Sequence, residues 1–249
     1  MKILEEKAKV ITDSRLGPTA ADYQAAFNLE RMQLYPMVSE FEDGLGYAVD
    51  RERLEGAARV LACPLKAHPP NWQHGRVLYA AARKYLAHTT EPVSFLDIGT
   101  AKGFSALCLA WAIADADVRG TVVTVDVIDP HGRIFRNSVA DLGGLKTLYE
   151  LLSDWPESTH IEAHKCPGVL WLEKHPERIH FAFVDGKHTG SVVWHEGLLL
   201  AEHQQPGDVV IFDDVDRPDV WDAVQRLKAY KAQRITILPH RAYAVAVRV

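Results

Sequence analysis

The sequence predicts an α/β fold, a doubly wound and mostly parallel seven-stranded sheet closed by an antiparallel C-terminal hairpin and preceded by an N-terminal helical cap. Three observations predict it. From Val93 onward, the short apolar or β-branched runs Val93–Ile98, Thr121–Asp126, His160–Ala163, Ile179–Val184 and Val209–Phe212 alternate with helical segments, the pattern of a parallel sheet covered on both faces. The last two runs, Arg234–Leu238 and Ala242–Val249, are separated only by Pro239-His240-Arg241, a link too short for anything but an antiparallel pair. Ahead of Val93 lie Ala-rich helical stretches broken by Pro18, Pro36, Pro64, Pro69 and Pro70, with no convincing strand.

Taken in order, residues 1–70 read as the helical cap and residues 71–249 as the sheet-bearing domain. Val77, Leu78, Ala81, Tyr85 and Leu86 recur at helical spacing, so the helix just before the first strand packs on the sheet. The first strand runs into Phe95-Leu96-Asp97-Ile98-Gly99-Thr100-Ala101-Lys102-Gly103-Phe104-Ser105, a strand–turn–helix of the kind that opens a nucleotide-type site. Gly99 and Gly103 stand where the backbone turns sharply or must let a ligand approach. Their G-x-x-x-G spacing matches neither the dinucleotide fingerprint, because Ala101 replaces its middle glycine, nor the phosphate-binding loop of nucleotide hydrolases, which needs Gly-Lys followed by Ser or Thr. Asp126 ends the second strand, and Asp129-Pro130-His131 reads as a turn. Val192, Val193, Leu198, Leu199 and Leu200 form an apolar helix against the sheet, and Val220, Val224 and Leu227 form the next.

Composition narrows the function. The 249 residues carry a net charge of −5, and the 28 Lys and Arg are scattered along the chain, so no basic stripe argues for a nucleic-acid partner. Cys63, Cys108 and Cys166 are odd in number and lack metal-type spacing, which fits a reduced, cytoplasmic compartment. Neither a leader segment nor a membrane span is expected, since no long apolar run occurs from Met1 to Lys7 or elsewhere. Self-association into a homo-oligomer is compatible with this composition.

The stretch Asp97-Ile98-Gly99-Thr100-Ala101-Lys102-Gly103-Phe104-Ser105 resembles motif I of the class I S-adenosylmethionine (SAM) methyltransferases, in the E-I-G-T-x-x-G-[YF]-S form of small-molecule O-methyltransferases. The resemblance extends from Asn71 to the C-terminus and implies a Rossmann-like methyltransferase fold with SAM as cofactor. It places Asp97, Gly99, Thr100, Gly103 and Ser105 at the cofactor, with Asp97 beneath the glycine loop, and Asp126 on the ribose hydroxyls, where a carboxylate can accept two hydrogen bonds from a vicinal diol. A cap or a solvated position is the other reading of Asp126. The segment Glu162-Ala163-His164-Lys165-Cys166-Pro167 stands where this fold wraps the adenine but departs from the usual Gly-Asp-Ser pattern, leaving His164, Lys165 and Cys166 as weak candidates.

The remaining acids carry the chemistry. Phe181-Ala182-Phe183-Val184 ends in Asp185, and Val209-Val210-Ile211-Phe212 ends in Asp213 and Asp214. Adjacent parallel strands lie about 4.8 Å apart, so these acids can converge, and they then repel one another unless a cation intervenes. Oxygen ligands suit a hard divalent ion, Mg²⁺ first. The alternative is that Asp213 or Asp214 caps the helix that includes Pro218. The segment from Phe183 to Leu227, with Gly186, Leu198, Pro206, Gly207 and Trp221, is similar to the catechol-type and macrolide-sugar O-methyltransferases. That likeness implies Asp185, Asp213 and Asp214 as metal ligands, Asp185 also beside the cofactor and in catalysis, and His188 as the base, since Lys187 falls one position early. The reaction so implied is metal-assisted methylation of a small hydroxylated acceptor, a sugar or phenolic natural product, with an imidazole near its ordinary pKa taking the proton. An iron-dependent hydroxylase-like relative and a SAM- or nucleoside-binding module without turnover are the other classes.

Overall fold

The computed structural model describes residues 17–66, 70–238 and 240–249. The first sixteen residues of the expected cap, Pro69 and the hairpin residue Pro239 lie outside the described residues. Among the described residues, four helices lead into the sheet: α1 (Ala20–Arg31), α2 (Pro36–Leu45), α3 (Arg51–Leu61) and α4 (Gln73–Leu86). Each start has a local cause. Thr19 and Asp22 form a reciprocal capping box at α1, Pro36 occupies the first turn of α2, and the Asp50 carboxylate accepts from the Arg53 amide at α3.

The alternation then runs β1 (Val93–Ile98), α5 (Phe104–Asp115), β2 (Gly120–Asp126), a short α6 (Leu148–Leu152), β3 (Ile161–Lys165), α7 (Gly168–Lys174), β4 (Phe181–Val184), α8 (Gly190–His203), β5 (Val209–Phe212), α9 (Pro218–Arg226), β6 (Tyr230–Leu238) and β7 (Arg241–Arg248). One seven-stranded sheet has the order β3-β2-β1-β4-β5-β7-β6. All neighbours from β3 to β5 pair in parallel, and β7 runs antiparallel to both β5 and β6. The expected sheet and hairpin are therefore present.

Side-chain alternation along the strands builds two cores. Phe95, Phe181, Phe183, Val209 and Ile211 face α4, α5 and the cap helices in one apolar cluster. Leu96, Ile98, Ala182, Val184, Val210 and Phe212 face α7, α8 and α9 in the other. Helix α5 is apolar all round and buried from Phe104 to Ile113, as a helix trapped between sheet and cap must be. Each Leu or Phe so enclosed contributes roughly 1.5–3 kcal/mol of transfer free energy.

Several strand boundaries differ from the sequence reading by one to four residues. His160 closes a 3₁₀ turn begun by Pro156 and so precedes β3. Ile179 and His180 donate backbone amides to His203 and Ser94 just before β4 begins. β6 starts at Tyr230, ahead of the expected Arg234. It is one of the two edge strands, and its polar residues Lys231, Gln233 and Arg234 are exposed, which breaks the apolar signature while suiting an edge. The helix expected from Val77 to Leu86 is α4, and its Tyr85 ring meets Phe95 edge-on. His131 lies in a turn, its amide donated to Asp129, as expected.

Candidate active site

Register brings the site residues together. Ile98 is level with Val125 on one side and with Val184 on the other, and Val184 is level with Phe212. One residue further along, Asp126, Gly99, Asp185 and Asp213 form a single transverse row at the carboxyl edge of four strands. Because faces alternate along a strand, Asp126, Asp185 and Asp213 share the face that carries the cap, α4 and α5.

On the β1–β2 side, Gly99 has φ 107° and Gly103 has φ 83°, both in the left-handed region that favours glycine. A Cβ on Gly99 would overlap the backbone carbonyl of Asp185, and the Asp185 amide donates to Ile98 O at 2.8 Å. The loops after β1 and β4 are thus in contact. Ala101 has φ 45°, a conformation that disfavours a Cβ. Its amide donates to Asp126 Oδ2 at 2.8 Å, and Oδ1 of the same carboxylate accepts from Ile128 at 3.0 Å. Asp97 is fully buried beneath the turn, where Thr124 Oγ1 donates to it at 2.5 Å and Thr100 Oγ1 lies 2.6 Å from the same hydroxyl. Burial pushes the Asp97 carboxyl up to about 6, against the hydrogen bonds from Thr124 and Ser105. Ser105 is buried in the first turn of α5.

A small cavity opens beside this turn, lined by Thr100, Ala101, Asp126, Pro130, Arg136 and Ala163 among others. His164 is also at its wall, whereas Cys166 is held by its amide to Asp126 O at 2.8 Å. Arg136 went unnoticed in the sequence, where a single arginine in a loop carries no motif. It is 8% exposed, its Nη1 donates to Ala101 O at 2.8 Å, and its Nη2 is buried without a partner. A carboxylate, a spare guanidinium donor and small apolar walls thus meet at this turn.

The β4–β5 side gathers Asp185, Asp213, Asp214 and His188. His188 Nδ1 lies 2.6 Å from Asp214 Oδ2 and 3.7 Å from Asp185 Oδ1. Asp214 has φ 54°, a left-handed conformation that an aspartate tolerates better than most residues. Its amide donates to Asp213 Oδ1 at 2.7 Å. The hydrogen bond that His188 donates to Asp214 raises the His188 pKa above its ordinary value. Burial pushes Asp214 upward, but His188 and Arg241 outweigh it and hold the carboxyl below the usual range. Burial and the neighbouring Asp213 push Asp185 well above that range. Lys187 is exposed.

The cation among these acids is a protein side chain. Arg241, the first residue of β7, places Nη2 2.5 Å from Asp213 Oδ2 and Nη1 2.9 Å from Asp214 Oδ1, while Nε donates to Tyr243 Oη at 3.4 Å. The expected divalent ion would have to share Asp185, Asp213 and Asp214 with this side chain. A guanidinium forks across two of the three carboxylates, and among the described residues no three His, Cys, Asp or Glu side chains are arranged to hold a metal ion. Two of the three carboxylates are thus already paired with a positive charge. Neither Asp213 nor Asp214 caps α9, whose N-cap is Arg217 with no side-chain cap bond. The structure therefore brings the expected site residues into two adjoining groups, with Asp97 and Ser105 buried under the first.

Residues 96–215 match a family model described as a methyltransferase domain. No curated protein matches the chain. Among solved structures, the O-methyltransferase TomG from Streptomyces achromogenes, involved in tomaymycin synthesis and in complex with SAM, is similar at 19% identity and a TM-score of 0.55, covering 81% of this chain and 92% of its own. The O-methyltransferase from Bacillus cereus in complex with SAH is similar at 13% identity and a TM-score of 0.52, covering 100% and 99%. A putative rRNA methylase from Clostridium thermocellum is similar at 11% identity and a TM-score of 0.50, covering 68% and 95%. At these identities the likeness is one of fold. Among the described residues no helix is long and apolar enough to cross a membrane.

Proposed function

From the premise that residues 96–215 match a methyltransferase-domain family model on a fold similar to that of class I methyltransferases, we propose that this chain transfers a methyl group from SAM to a hydroxyl of a small molecule, a sugar or phenolic compound. One observation carries the reading: the glycine turn and the Asp185–His188 loop touch at the carboxyl edge of β1 and β4. A cofactor on the first and an acceptor at the second are then neighbours, which is what in-line methyl transfer requires.

SAM, when bound, supplies a methyl already activated on a sulfonium. The chain's own work is to bind, orient and deprotonate. The Gly99–Gly103 turn lets the backbone approach the cofactor, Asp126 keeps free lone pairs for the ribose diol, and Arg136 Nη2 offers the unused donor. His188 donates Nδ1–H to Asp214, which fixes its tautomer and leaves Nε2 to take the acceptor's hydroxyl proton. A second cavity, of about 200 Å³, lies in the cap among Glu30, Tyr35, Glu42, Trp72, Gln73 and Arg76. This cavity is proposed to hold the body of the acceptor. The net charge of −5 favours a small acceptor over RNA.

The test is titration calorimetry with SAM, followed by a screen of hydroxylated acceptors with methyl-labelled SAM and, beside them, structured RNA. Saturable SAM binding weakened by Asp126→Ala and label on a small acceptor are expected. No SAM uptake, or label on RNA alone, would overturn the proposal.

A further inference from the structure

We propose that Arg241 is the resident counter-cation of the Asp185–Asp213–Asp214 cluster, filling the place of a divalent ion, so that this edge works without metal and admits one only when the guanidinium is removed. The inference concerns the same site as the proposed methyl transfer, but its readout requires no turnover.

Topology explains why an arginine reaches a place on the far side of a parallel sheet. Ala244 is level with Phe212 across the antiparallel β5–β7 pair, so β7 begins where β5 ends, and its first residue overhangs the carboxyl edge. The Val215 amide donates to Ala242 O at 3.2 Å, and the Ala242 amide to Asp216 Oδ1 at 3.3 Å, which ties this overhang to the loop carrying the acids. Arg241 is then held at three points: Asp213 Oδ2, Asp214 Oδ1 and Tyr243 Oη. Its guanidinium also lies 5.5 Å from the Tyr243 ring centroid. Two-carboxylate forks of this kind are geometrically specific and belong to arginine rather than lysine.

Charge and space argue together. Asp213 is 3% exposed, and a carboxylate so enclosed needs a partner. The guanidinium already supplies one to Asp213 and to Asp214. A divalent ion would have to displace a permanently charged group from a tight fork and place it against its own charge. The same fork makes Arg241 a positioning residue for His188, because it braces the Asp214 carboxylate that holds Nδ1.

The experiment is Mn²⁺ binding followed by electron paramagnetic resonance and calorimetry on the full chain, native and as Arg241→Ala, Arg241→Lys and Asp213→Asn, with thermal melting to verify folding. Native protein is expected to show no saturable Mn²⁺ binding at this cluster under millimolar ion, and any methyl transfer to be indifferent to chelator. Arg241→Ala, relieved of its cation and left with unpaired carboxylates, is expected to bind Mn²⁺ roughly 100-fold more tightly than the native chain. Mn²⁺ bound by the native protein and released by Asp213→Asn would overturn the proposal, with no need for any variant at Arg241. So would a folded Arg241→Ala protein that gains no Mn²⁺ site. If Arg241→Ala does not fold, Arg241→Lys replaces it, since a point charge without the fork is expected to hold Mn²⁺ out less well than arginine. Failure to bind SAM would defeat the proposed function and leave these ion-binding results standing.

Discussion

The two halves of the sheet's carboxyl edge keep their acids in different ways. At β1–β2, Asp126 is held by the amides of Ala101 and Ile128 and Asp97 by the Thr124 hydroxyl, so uncharged donors from one strand–turn–helix–strand unit suffice. At β4–β5, Asp213 and Asp214 are held by a full positive charge delivered from β7. Backbone amides and hydroxyls hold a carboxylate in place while leaving it lone pairs for a ligand. A guanidinium fork uses the carboxylates up and makes them a rigid brace for His188. The first half is thereby suited to binding and the second to positioning a proton acceptor.

The largest expected effect tests that division of labour. His188→Ala should lower turnover by roughly 10²–10⁴-fold while SAM affinity, read by calorimetry, stays near the native value, and Asp126→Ala should show the reverse emphasis. Unchanged turnover in His188→Ala would remove the base from the second half. Next comes stability. Asp213→Ala leaves the Arg241 charge partly unpaired and should cost about 3–5 kcal/mol in denaturant unfolding; a loss under about 1 kcal/mol would mean that the fork is a weak surface pair.

A pH experiment sharpens the other side. Asp97 keeps its proton to about 6 in the folded chain, against 3.8 ordinarily, so between those values the folded state binds more protons than the unfolded and stability falls as pH rises. Glu30 and Glu196, both raised to about 7 by burial, act in the same sense, while buried His74, lowered to about 3, acts in the opposite one. Asp97→Asn should therefore be the more stable protein above pH 6, by an amount on the order of 3 kcal/mol at most, with the difference vanishing below pH 4. Parallel native and variant curves would show that Asp97 titrates normally. The smallest effect is at the turn: Ala101→Gly should gain about 0.5–1 kcal/mol by relieving a left-handed alanine, and a loss would show that its Cβ is needed for packing.

What was legible in the sequence follows the range of the interactions involved. The strands of the doubly wound sheet, the glycine turn and the acids closing β1, β2, β4 and β5 are all written in contiguous residues, because strand periodicity and turn chemistry act over a few positions. The start of β6 was missed because an edge strand carries polar residues on its open side, and His160 was misplaced because Pro156 starts a turn inside an otherwise strand-like run. Arg136 and Arg241 were missed for a different reason. Each sits in a loop or at a strand start, and nothing near it in sequence says which carbonyl or carboxylate it will meet.

By itself, then, the order of residues determined the fold class and the rim on which the acids of this chain gather, since both arise from local patterns repeated along the backbone. The identity of the cation among those acids was decided only by tertiary structure. Electrostatic partners are chosen by distance through space, and the antiparallel return of β7 is what carries a guanidinium from the C-terminal hairpin to within 3 Å of two carboxylates.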